Sequence, residues 1–206
     1  MRLGDLPHQG GGRLFVGSDM NTLLGLAPFI LFFVLMRLST PLMALVGATL
    51  VSAILIGRVA MRGGSVKILE IGSLVLFGVL TLYTLAARPD WSIAGVRLAV
   101  DGGLALIVLV SLVIRRPFTL QYAREQVPRQ FWNNPIFLRT NDLITFVWFF
   151  AFLVSAACDA AAVWWPSLPL AAEIVASLGV FIFAVWFSVW YPKHVRRNIP
   201  RPAGAG

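Results

Sequence analysis

The chain has 206 residues, of which 58% are apolar and 13% charged, with a formal net charge of +8. A soluble domain carries about 25% charged residues, so there are too few polar side chains here to cover a water-facing surface, and an ordinary soluble globule is excluded. The Lys and Arg residues lie between apolar runs, where cytoplasmic loops and anionic lipid headgroups account for them, so no nucleic acid is expected as a partner.

Residues 1–20 read as a flexible cytoplasmic leader. Arg2 and Arg13 are offset by Asp5 and Asp19, and Gly10-Gly11-Gly12 follows, which is not the charged start of a cleavable signal. The first apolar segment, 21–36, is short for a span and holds Pro28, which predicts a kink or a re-entrant path. Only Leu38-Ser39-Thr40 separates Arg37 from the second segment, 41–56, so the two form a tight helical hairpin with Pro41 in the first turn. A basic loop with Gly57, Arg58, Arg62, Gly63, Gly64 and Lys67 leads to the third segment, 66–87. Lys67 and Glu70 share one face at its start, and Arg88-Pro89-Asp90 ends it. The fourth segment, 91–114, opens on Trp91, a residue suited to the membrane interface. The fifth is 143–163, closed by Trp164-Trp165-Pro166, and the sixth is 170–191, followed by a basic tail over 192–206. The last three match the ~20 residues needed to cross a ~30 Å hydrocarbon core. The predicted fold class is all-α, a polytopic membrane helix bundle of about six transmembrane helices over 21–191.

Six spans place fourteen of the 17 Lys and Arg residues on one face, with Arg37, Arg88 and Arg97 on the other. That bias predicts both termini in the cytoplasm. Small residues at four-residue spacing mark candidate helix contacts: Ala44, Ala48 and Ser52; Gly95, Ala99 and Gly103; Ala156 and Ala160.

Arg97 and Asp101 stand four apart in the fourth segment, a spacing that puts both charges on one helix face. They form a candidate ion pair, either a structural lock between helices or a group acting in transport or ligand binding, since ionisable groups inside a bilayer are costly. Glu70, Asp159 and Glu173 lie near span ends and are expected in solvated interfacial positions. His8 and His194 fall outside the spans, so no histidines are placed to hold a buried haem or metal. The single Cys158 reads as a packing residue.

The stretch 115–142 mixes arginines with aromatics. Arg115, Arg116, Phe118, Tyr122, Arg124 and Trp132 form a candidate contact surface on a cytoplasmic interfacial loop, with Pro128 and Asn134-Pro135 breaking it into short pieces. No phosphate loop, nucleophile–base arrangement or paired catalytic carboxylates stand out, so a non-enzymatic protein without cofactor is expected.

The order of features resembles the septation protein A family of bacterial inner-membrane proteins. The likeness is carried by Ala27-Pro28-Phe29-Ile30-Leu31-Phe32-Phe33, by Phe77-Gly78-Val79-Leu80-Thr81-Leu82, by Trp91 opening the fourth span and by the basic exit Arg115-Arg116-Pro117. Asn141 entering an aromatic fifth span and Tyr191-Pro192 ending the sixth add to it. The resemblance implies an inner-membrane scaffold in septation or envelope maintenance, with membrane-protein partners or a second copy of the chain alongside lipid. The alternative is a small-solute or ion transporter or channel working as an oligomer, which rests on Arg97 and Asp101.

Overall fold

The computed structural model describes residues 14–165, 167 and 170–197. Residues 1–13 of the predicted leader and the end of the basic tail lie outside the described residues; 14–20, expected to be flexible, form the first turns of α1 instead. The helices are α1 (Leu14–Leu38), α2 (Pro41–Met61), α3 (Ile68–Ala87), α4 (Ile93–Val113), α5 (Phe118–Gln126), α6 (Pro135–Trp164) and α7 (Leu170–Arg197), with a single 3-10 turn at Arg129–Phe131. No strand occurs among the described residues. Among the described residues five helices are long and apolar enough to cross a membrane: α2, α3, α4, α6 and the Ile174–Val195 part of α7. The protein is therefore an all-α, multi-pass membrane bundle. In α1 the apolar stretch among the described residues is Ala27–Leu38. α1 continues through Pro28 as one helix, so the re-entrant break expected there does not occur.

The helix boundaries follow local chemistry. Thr40 caps α2 by accepting from the Met43 N–H at 3.3 Å, and Pro41 takes the first turn, where its missing N–H costs nothing. At α3 the Glu70 carboxylate accepts from the Lys67 N–H at 3.1 Å. α3 ends where Arg88 turns left-handed at φ 45°. Ser92 caps α4 by accepting from the Gly95 N–H at 3.0 Å. Asn134 caps α6, accepting from the Ile136 N–H at 2.9 Å.

The stretch 115–142 is not the open loop its prolines imply. Phe118, Leu120 and Tyr122 are buried on one side of α5, and the chain recovers its backbone bonds there as a helix. Pro135 starts α6 instead of breaking the chain, because a proline directly after an Asn cap occupies a position whose N–H has no helical partner. α6 thus begins about two turns before the predicted position. Its 30 residues reach ~45 Å, longer than a ~30 Å hydrocarbon layer.

α4 and α6 form the most extensive pair. α1 packs on α2, α2 on α3, α3 on α4 and α7 mainly on α6, while α5 lies across α6, α1 and α4. Phe29, Phe32 and Phe77 meet at 5.3–5.5 Å beside Leu45, Val100 and Leu104. The predicted stripe Ala44, Ala48 and Ser52 is fully inside. Gly103 receives Leu76 of α3, and Gly72 receives Ile107 of α4, so these two helices approach by reciprocal insertion. Large apolar side chains face outward instead: Leu50, Ile54, Val75, Val79, Leu82 and Leu106 are all exposed. In water this arrangement would be inverted; in a bilayer it is the lipid-facing surface. The span of α4 is 39% buried and that of α7 only 11%, which puts α4 at the centre and α7 at the edge.

Candidate functional site

The turn between α3 and α4 is held by Trp91. Its indole N–H donates to the Thr84 hydroxyl at 2.9 Å, and its ring stands edge-on to Tyr83. From this fixed start α4 turns Val96, Val100, Leu104, Ala105 and Val108 inward. Against them α6 presents Ala151, Phe152, Ser155, Ala156 and Asp159. The small residues let the backbones approach closely enough for polar groups to meet.

Arg97 does pair, but not with Asp101 as expected. Its Nη2 lies 2.9 Å from Oδ1 of Asp159 on α6, and Asp101 accepts a very short hydrogen bond from the Ser155 hydroxyl. The reason is geometric. Helical side chains lean toward the N-terminus, so an Arg placed before its acid points away from it, and this order makes the weaker i,i+4 pair. Across the interface Asp159 offers a direct partner. The Asp101 carboxyl also lies within the field of Arg97. Arg97 is 13% exposed at its side chain and Asp159 0%, so Asp159 is not the solvated interfacial acid expected from its place near a span end. The side chain of Glu173 lies outside the described residues.

Arg97 and Ser155 of this cluster line a cleft of ≈ 530 Å³ between α1, α4, α6 and α7. Arg37, Arg97, Ser155 and Ser177 supply its polar lining, with Phe33 and Phe181 among the apolar walls. The size falls within the ~300–1,000 Å³ of small-molecule pockets. Ser177 is 8% exposed, and its hydroxyl has no hydrogen-bond partner among the described residues.

A second cluster lies at the end of the bundle where α3 starts and α5 packs. Lys67 pairs with Glu70 at 3.5 Å and with Glu125 of α5 at 3.0 Å, and its ammonium stands 4.7 Å from the Tyr122 ring centre. The predicted Lys67–Glu70 proximity holds, but Glu70 is buried, not solvated. Gln121 accepts from the Ile68 N–H at 2.9 Å, and the hydroxyl of Thr119 donates to the Asn141 carbonyl at 2.9 Å. α5 is thereby clamped to α3 and α6. The Tyr122 hydroxyl packs on Gly25 of α1, where even a Cβ would collide with it. Burial pushes the Tyr122 phenol well above its ordinary pKa, and the Glu70 and Glu125 carboxylates add to that.

The predicted contact surface therefore divides. Phe118 and Tyr122 are buried and hold α5 in place, because an amphipathic helix beside an apolar bundle turns its aromatics inward. Arg115 and Arg116 are exposed. Arg124 and Arg129 lie 5.4 and 5.7 Å from the half-buried Trp132 ring, whose indole N–H is donated to the Val127 carbonyl. Sequence reasoning missed Ser155, Ser177 and Arg37, and placed Asp159 in the wrong environment. One signal was present: Ser155 and Asp159 repeat the four-residue spacing of Arg97 and Asp101. Among the described residues no three His, Cys, Asp or Glu side chains gather as a metal site would need. Comparison of the chain with known protein families, with curated proteins and with solved structures finds no match.

Proposed function

We propose that this membrane protein is a small-solute transporter of a bacterial inner membrane, with six spans and both termini in the cytoplasm. The observation that carries the reading is the buried group Arg97, Asp159, Asp101 and Ser155 beside an apolar cleft that Arg97 and Ser155 line. A charge held at membrane depth costs ~2.5–3.5 kcal/mol on insertion scales, and such groups mark solute and proton pathways. A structural lock needs one ion pair; the second acid and the open cleft go beyond that need. The cleft lies within one chain, so a pore built by oligomerisation is not required. The positive-inside distribution of Lys and Arg supports the topology. Flux of a broad panel of labelled solutes into proteoliposomes tests the reading. Transport that is lost in Asp101→Asn while the protein still melts cooperatively supports it, and absence of flux for every solute sinks it.

A second reading, an envelope or septation scaffold, draws on the resemblance to the septation protein A family and on the exposed Arg115, Arg116 and Arg129 at the cytoplasmic base. Photo-crosslinking from position 116 in cells captures division or envelope proteins if this reading holds, and lipid alone if it does not.

A further inference from the structure

The charged residues among the described lining of the cleft are Arg37 and Arg97, and Ser177 turns an unpartnered buried hydroxyl into it. Apolar walls and a basic, donor-rich floor fit a compact amphipathic anion. Behind Arg97, two carboxyl groups sealed from water share one guanidinium, with Asp101 1% and Asp159 0% exposed. One guanidinium balances one carboxylate, and a second carboxylate sealed from water without a counter-charge takes up a proton. We infer that the cleft binds a small amphipathic monoanion together with one proton, the anion taking Arg97 from Asp159 and the proton going to the Asp101–Asp159 pair.

The exchange conserves charge. In the empty protein Arg97 balances the pair, which holds one hydrogen. An incoming sulfonate or carboxylate occupies the guanidinium, and Asp159, sealed from water, loses its counter-charge. A second proton then neutralises the pair, so anion and proton enter together. Among the described residues no other group facing this site supplies that charge. α1 contributes Arg37 at the rim; the described α7 lining residues Ile174, Ser177, Leu178 and Phe181 are uncharged; Cys158 is half-buried beside Asp159 on α6. The acid of α3, Glu70, and the charged Arg124 and Glu125 of α5 belong to the opposite, cytoplasmic end.

This inference rests on reading the cleft as a solute site, and binding separates the two. The full chain is placed in nanodiscs of zwitterionic lipid and titrated with naphthalene-2-sulfonate, which stays ionised over the pH range used. Calorimetry follows binding, and a pH indicator in weak buffer follows protons. The expected result is saturable binding with uptake of one proton per sulfonate, and binding weaker by roughly tenfold or more for the matching trimethylammonium compound and for Arg97→Gln. The double change Asp101→Asn with Asp159→Asn binds the sulfonate without taking up a proton. If Arg97→Gln does not fold, Ser177→Ala and Arg37→Gln each weaken binding at the rim and wall. Equal binding of the cation, sulfonate binding without proton uptake, or displacement by phosphatidylglycerol nanodiscs at unchanged sulfonate overturns it. Binding without flux sinks the transport reading alone; flux of cationic or neutral solutes without sulfonate binding sinks this inference alone.

Discussion

Arg97 has two acids within its field and makes its ion pair with the one on another helix. Breaking a buried pair by removing one partner costs ~3–5 kcal/mol, whereas replacing both with apolar residues is close to neutral. Thermal melts in detergent of Arg97→Leu, Asp159→Leu and the double variant are therefore expected to be strongly non-additive, with the double variant near the parent. The same cycle built on Arg97 and Asp101 shows the smaller coupling, and equal coupling in both cycles contradicts the assigned partner. A second residue-scale contact is Tyr122 against Gly25. Gly25→Ala overpacks this point and costs ~1–3 kcal/mol. Adding Tyr122→Phe removes the hydroxyl in the way and restores most of that loss; no restoration means the clash is relieved elsewhere. The raised pKa of Tyr122 has a definite sign. Its neutral form is favoured in the fold, so the contribution is complete below the unfolded value of ~10 and is lost as pH rises through the higher folded value. Strongly alkaline unfolding is thus less steep in Tyr122→Phe. Spacing alone revealed Lys67 beside Glu70, because neighbours on one helix turn meet whatever surrounds them. It did not reveal Asp159 beside Arg97, since that contact depends on how α4 and α6 are rotated against each other.

Among the elements, α5 is the one whose place depends most on a few side chains. Lys67 joins it to α3 through Glu70 and Glu125, and Thr119 joins it to α6. Glu125 is 39% exposed at its side chain, so its own pair is worth little; Lys67 is the member that matters, because without it the buried Glu70 has no counter-charge. Lys67→Met is expected to lower the melting temperature and to speed hydrogen exchange over Phe118–Gln126, while Lys67→Met with Glu70→Gln recovers both. Unchanged exchange in the single variant would show that apolar packing alone seats the helix. The spans were readable as long apolar runs bounded by Pro41 and by Arg88-Pro89, whereas Tyr191-Pro192 proves to be no boundary, since α7 continues through Pro192 to Arg197. α5 was hidden, because nine residues give little more than two turns of periodicity, and Pro128 and Pro135 read equally well as breakers or as helix starts.

For the whole molecule the distribution of Lys and Arg predicts that reporter fusions at Gly64, Arg129 and Lys193 read cytoplasmic and that fusions at Pro89 and Ser167 read outside. A cytoplasmic reading at Pro89 rules out the six-span arrangement. The all-helical class and the membrane setting followed from composition, since an apolar surface of this extent has few other solutions. The cleft did not, because Phe33, Arg97, Ser155 and Ser177 come from four helices that only assembly brings together. The cross-helix pairing of Arg97 also bears on how the chain is made. Asp159 is translated 58 residues after Asp101, a delay of about 3–12 s at ribosomal speed. During that interval α4 leaves the translocon with an arginine and an aspartate whose lasting partners do not yet exist. The weak same-helix pair is the interim arrangement that their spacing allows, and arrival of α6 would replace it. A ribosome stalled between these two points leaves an unfinished product with an unsealed polar strip in lipid, the kind of nascent chain that membrane quality-control proteases remove.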